Sequence, residues 1–267
     1  TMGTTQDATE TFIGAGALVN ATAGNAGANS NQSVRLRAEH DTNILSVAGS
    51  LAGASKAAVG LAGNVQTIDQ TVTAHIDSGA QVYAKKDVLV TALSSQDILS
   101  ISAAGAFSGT LSLSGSVSVV DLDTTTSAYI AGIPSGAAAL VDAGGDVTIA
   151  ADGTLDAILI AGSIGASGKV GIGASNTTLL HTDTVEAYVG ERAAVNTRGP
   201  NGLTVKATSK EDLITIAAGG AGSGNVAVAG SAVVNDLDET TLAFIGRSAS
   251  VTAEDTVNNP GISVSAK

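Results

Sequence analysis

The sequence predicts an all-β chain, an elongated parallel β-solenoid (β-helix) of about four repeats, with a stacked array of antiparallel β-hairpins as the alternative. Three observations lead there. First, one short block recurs five times: Thr11-Phe12-Ile13, Ala74-His75-Ile76, Ala128-Tyr129-Ile130, Ala187-Tyr188-Val189 and Ala243-Phe244-Ile245. Its ring-bearing positions 12, 75, 129, 188 and 244 are separated by 63, 54, 59 and 56 residues, a drifting period that fits structural units with loops of variable length. Second, short segments of alternating apolar and polar residues recur between these blocks, the pattern of half-buried strands. Third, hydrophobic residues make up 44% of the 267 residues but aromatics only 2%, with 33 glycines, no cysteine and no tryptophan. The core is therefore aliphatic and small, which suits closely stacked strands.

In the first unit Val34-Arg35-Leu36-Arg37 is a strand, and Val88-Leu89-Val90-Thr91, Val147-Thr148-Ile149-Ala150, Leu203-Thr204-Val205-Lys206 and Ile262-Ser263-Val264-Ser265 fill the same slot later. The next slot holds Ile98-Leu99-Ser100-Ile101, Ile158-Leu159-Ile160 and Leu213-Ile214-Thr215-Ile216, with Asp97, Asp156 and Asp212 just before. A third holds Leu111-Ser112-Leu113-Ser114, Val170-Gly171-Ile172 and Val226-Ala227-Val228-Ala229. Pro134-Ser135-Gly136, Gly144-Gly145-Asp146 and Asp152-Gly153 read as turns, and Gly162–Gly168 as a glycine-rich separator. Alanine is plentiful, but adjacent glycine, at about 1 kcal/mol per helical residue, weakens any helix. The units run approximately 5–67, 68–121, 122–180, 181–236 and a partial 237–267, one array without internal domains. Strands of about five residues would give coils of about 20 residues, roughly three coils per repeat, and a rod about 60 Å long.

A formal charge of −12 argues against a nucleic-acid surface and against anionic lipid. No apolar run reaches the ~18 residues of a membrane-spanning helix, and no stretch of this sequence reads as a signal peptide. Thr1-Met2-Gly3 reads as a join before a segment of something longer. The absence of cysteine is compatible with export.

The acids near the recurring block are the best candidates for a site. Asp69, Asp123 and Asp238 each lie six residues before the ring, with Asp121 and Asp236 two further back and Asp183 and Glu239 nearby. Clusters of Asp121 with Asp123, or of Asp236, Asp238 and Glu239, could offer oxygens to Ca²⁺. Equivalent acids three coils apart, roughly 14 Å, would be too distant to share an ion. The competing reading is solvated acids in Asx turns. His75 takes a slot held elsewhere by Tyr and Phe, so it is expected to stack as a ring. No second histidine falls at ligand spacing from His40 or His181, so no zinc site is read. Gly222-Ser223-Gly224-Asn225-Val226-Ala227 fits a loose dinucleotide fingerprint, but a strand-like segment follows where a helix must start. The triplets Asn20-Ala21-Thr22, Asn31-Gln32-Ser33 and Asn176-Thr177-Thr178 carry little weight in a chain so rich in these residues.

The stretch from Gly222 through Val226-Ala227-Val228-Ala229-Gly230 to Asn235-Asp236-Leu237-Asp238-Glu239-Thr240-Thr241-Leu242-Ala243-Phe244-Ile245-Gly246 resembles the repeats of very large bacterial surface exoproteins: leukotoxin-like filamentous adhesins, haemagglutinin-type exoproteins and autotransporter passengers. Matching stretches recur through nearly the whole chain. The resemblance implies secretion, an extracellular or cell-surface location and a β-helical stalk. The expected role is then a non-enzymatic structural or adhesive segment without catalytic residues or cofactor, whose partners are neighbouring repeats of a longer parent chain and a cell-surface glycan or protein. The alternative is a carbohydrate-acting β-helix enzyme or a carbohydrate-binding module. Against it, the five arginines are scattered and no unit is elaborated.

Overall fold

The computed structural model describes residues 1–20, 28–133, 136–254 and 261–267. Fifteen strands follow one another: β1 (Met2–Ile13), β2 (Leu18–Val19), β3 (Val34–Ala54), β4 (Ala57–Ile76), β5 (Gln81–Ala84), β6 (Val88–Ser108), β7 (Leu111–Ile130), β8 (Leu140–Ala143), β9 (Val147–Ser167), β10 (Val170–Val189), β11 (Ala194–Thr197), β12 (Leu203–Ser223), β13 (Val226–Ile245), β14 (Ser250–Ala253) and β15 (Ile262–Ala266). They form three five-stranded sheets: A (β1-β4-β7-β10-β13), B (β2-β5-β8-β11-β14) and C (β3-β6-β9-β12-β15). Every pairing is parallel, which makes the chain a β-solenoid and removes the hairpin alternative. No helix among the described residues is long and apolar enough to cross a membrane.

Each repeat is one coil, not three. The segments read as two short strands, Val88–Thr91 and Ile98–Ile101, belong to the single strand β6. Asp152-Gly153 and the start of the Gly162–Gly168 stretch likewise run inside β9. The reason is local. Gly153 faces inward, and a Cβ there would lie 3.0 Å from Val185 Cγ2, so this glycine makes room rather than a turn. A 20-residue strand extends about 65 Å, whereas five stacked strands rise only about 20 Å along the axis. This stretch of solenoid is therefore a thin, broad blade, and the 60 Å rod is corrected accordingly.

Sheets A and C face each other, and the short sheet B holds them apart at one end. There the interior is aliphatic: Ile76, Val82, Val88, Ile130, Val141, Val147, Val189, Val195 and Leu203 are fully buried. Burial of each such side chain stabilises by about 1.5–3 kcal/mol. At the other end sheets A and C close on each other through a two-residue turn, Ser55-Lys56, Gly109-Thr110, Gly168-Lys169 and Gly224-Asn225. Successive turns stack so closely that a Cβ on Gly109 would lie 2.3 Å from Ser55 O, and one on Gly168 2.3 Å from Gly109 O.

In four of the five connections from sheet A to B the third residue has a left-handed backbone: Gly16, Gly79, Arg192 and Ser248. All variation in repeat length falls beside sheet B. The A-to-B connection is four residues at 77–80 but nine at 131–139, and the B-to-C connection is three at 144–146 but five at 198–202. Pro134 and Ser135, expected in a turn, lie outside the described residues, as do Ala21 and Thr22 of the first Asn-x-Thr triplet.

Candidate functional site: a buried histidine and carboxylate cluster

Alternation along a strand decides which side chains enter the gap between sheets A and C. At one inward position of sheet A the register stacks Asp7, Gln70, Thr124, Asp183 and Glu239, all polar. Sheet C presents Thr42, Gln96, Leu155 and Glu211 in one inward column and His40, Ser94, Gly153 and Ser209 in the next. Together these make a largely polar belt across the blade, interrupted by Leu155, between the aliphatic core and a second apolar cluster of Ile68, Ile98, Leu122, Leu159 and Leu179 that Leu155 joins. The belt satisfies itself by bonds between the sheets. Gln96 Nε2 donates to Gln70 Oε1 at 2.9 Å, Ser94 and Thr126 hydroxyls meet at 2.7 Å, and Thr9 and His40 at 3.1 Å.

In the fourth coil the belt becomes ionisable. Asp183 receives hydrogen bonds from Thr124 Oγ1 at 2.5 Å and Ser209 Oγ at 2.7 Å. His181 Nδ1 lies 3.2 Å from Leu122 O. A carbonyl only accepts, so this bond puts the proton on Nδ1 and leaves the Nε2 lone pair free in the neutral ring. Nε2 lies 2.9 Å from Glu211 Oε1, with side-chain exposures of 1% and 10%. That oxygen is buried and makes no aligned hydrogen bond. Burial, followed by the hydrogen bond and charge of Glu239 and the charge of Asp183, pushes the Glu211 carboxyl up to about 8. His181, Asp183 and Glu211 offer ligand atoms within 4.8 Å of one another, the set among the described residues with metal-ligand potential.

The acids singled out from sequence are placed differently. Asp121, Asp123, Asp236 and Asp238 project outward and exposed from sheet A, whereas Glu239 turns inward, so Asp236, Asp238 and Glu239 do not gather. One coil per repeat also sets equivalent residues on adjacent strands, about 4.8 Å apart rather than 14 Å. Asp123 pairs directly with Asp69, but Leu180 and Thr182 separate Asp121 and Asp123 from Asp236 and Asp238. Asp97, Asp156 and Asp212 stack in register on the outside of sheet C. From sequence, His181 has no second histidine at ligand spacing, and Glu211 is not singled out. The signal that could have found them is the column Gln70, Thr124, Asp183 and Glu239, polar at an inward position two residues from the Val72, Thr126, Val185 column.

The recurring rings form a ladder. Phe12, His75, Tyr129, Tyr188 and Phe244 stack with centroids 5.4, 4.9, 4.8 and 4.8 Å apart and interplanar angles of 1–12°. His75 thus stacks as a ring, as expected; its Nε2 lies 3.2 Å from Asp77 Oδ1. Burial, then Tyr129 and Glu186, pushes the Tyr188 phenol up to about 12. A groove of about 520 Å³ runs beside the ladder, bounded by Ile133, Glu191 and Arg247. Internal rings show it only their edges, because each face is covered by the next ring. No protein-family model matches this chain, and neither a curated protein nor a solved structure does.

Proposed function

We propose that the chain is a non-enzymatic structural segment, a stalk or adhesive section, of a large secreted or cell-surface bacterial protein. The observation that supports this most is the unbroken register. Residues of sheets A and C keep identical columns from coil to coil, and every change of length is confined to the corners beside sheet B. Such a chain is built to be extended by further copies, its natural partners, because each coil offers the next the same ladder of hydrogen bonds and the same columns. The outward acids keep the broad faces hydrated. A glycan or protein of a cell surface is the further partner that an adhesive role needs.

The carbohydrate alternative is less well supported. Sugar stacking needs an exposed ring face, and Tyr129 and Tyr188 are covered on both sides. The test is to duplicate residues 88–146, one full coil, within the chain. A structural segment folds cooperatively with a higher thermal midpoint and neither retains nor degrades acidic polysaccharides. Turnover of such a polymer by the unmodified chain would overturn the proposal.

A further inference from the structure

We propose that His181 Nε2, Asp183 and Glu211, joined by Glu239, form a site for one divalent transition-metal ion of the Zn²⁺ class, bridging sheets A and C inside the solenoid. The three ligand atoms lie within 4.8 Å of one another, close enough to surround one ion after small side-chain rotations. Their surroundings are those of a prepared site. The Nδ1–H bond to Leu122 O fixes the ring with the Nε2 lone pair turned to Glu211. Thr124 and Ser209 hydroxyls hold Asp183 while leaving lone pairs on both of its oxygens. Partners of this kind orient metal ligands and tune their basicity.

The second, independent observation is the buried Glu211 Oε1. It lies in a side chain nine-tenths buried, 2.9 Å from His181 Nε2 but without an aligned hydrogen bond to it. A lone pair on Nε2 and an oxygen held face to face in this way are poorly satisfied by each other, and a cation between them satisfies both. Glu239 is the register partner of Asp183 on the neighbouring strand of sheet A, so an ion here would neutralise adjoining carboxylates. One imidazole with carboxylates suits Zn²⁺, whereas Ca²⁺ takes six to eight oxygens. The sequence expectation of no zinc site rested on histidine spacing and does not bear on ligands brought together from two sheets. The inference is independent of the structural role proposed above.

The test uses the full chain stripped with EDTA. Calorimetric titration with Zn²⁺ should show one equivalent bound per chain, with a rise in thermal midpoint that EDTA reverses. Glu211→Gln and His181→Asn should each weaken binding at least about a hundredfold, Ser209→Ala by about tenfold, and His75→Phe should leave it unchanged. Absence of saturable uptake, or uptake undiminished in both ligand variants, would overturn the site. Should those variants not fold, Co²⁺ added to the unaltered chain decides. Selective paramagnetic shifts of the His181 ring protons support the site, and Co²⁺ bound without them refutes it.

Discussion

The two ends of each coil are built on opposite rules, and β7 contains both. Towards sheet B it buries Leu122, Ala128 and Ile130 and exposes Asp121 and Asp123. Towards the two-residue turn it buries Ser112, Ser114, Ser116 and Ser118, while Leu111, Leu113 and Val117 are about 40% exposed. The difference follows from the gap between the sheets. Where sheet B holds A and C apart, the interior needs aliphatic volume. Where they close, a Cβ on Gly173 would lie 2.0 Å from Gly220 O, and one on Gly60 2.2 Å from Gly105 O. Nearest the turn only Gly, Ala and Ser fit inside, Asn64 and Thr177 entering first in the Ser118 column, and larger side chains go outside whatever their polarity. Charge follows the same division, with no Asp, Glu, Lys or Arg from Ile98 to Val120 or from Leu213 to Asn235.

The largest expected effect comes from violating the narrow end. Gly173→Val forces a branched side chain against backbone, and chemical denaturation should show a loss of more than about 4 kcal/mol or no cooperative folding. Next is Ile130→Ala at the broad end, where the cavity should cost about 2–5 kcal/mol. If the two variants were equally mild, the division between a volume-filled and a contact-limited interior would fail.

The belt between the two ends predicts a pH effect in metal-free protein. Unfolded, Glu211 ionises near its ordinary 4.5; folded, facing Asp183, Glu239 and His181, it holds its proton to about 8. Between those values the folded state binds a proton that the unfolded chain has released, so stability falls as pH rises. The contribution is complete below about pH 4.5 and gone above about pH 8. Thermal midpoints across this range should decline in the parent protein and flatten in Glu211→Gln. The smallest effect has the opposite sign. Ser116 Oγ is buried without a partner, so Ser116→Ala should stabilise by about 1 kcal/mol. Ser100→Ala, which removes 2.6–2.7 Å bonds to Ser118 and Asn64, should destabilise instead.

Fold class and ring stacking were legible because the columns repeat: Phe12, His75, Tyr129, Tyr188 and Phe244 occupy one register position. Coil number was not, because strands were sought as windows of four or five residues. Gly153, inside a 21-residue strand, looks like a turn when its inward neighbour Val185 is unseen. The outward acids were visible as a spacing. The cluster was hidden because Glu211 stands in sheet C, 28 residues from Asp183, in a column with Leu155 and Gln96 that repeats no chemistry.

The corners beside sheet B accept five extra residues at 131–139 and two at 198–202, while β6, β7, β9 and β10 keep their pairing throughout. A longer insertion there adds only loop-closure entropy, about 0.6 kcal/mol for each doubling of length. Those corners are ports for cargo: a peptide epitope spliced into 131–139 would be displayed at the rim of the blade without shifting a single column behind it.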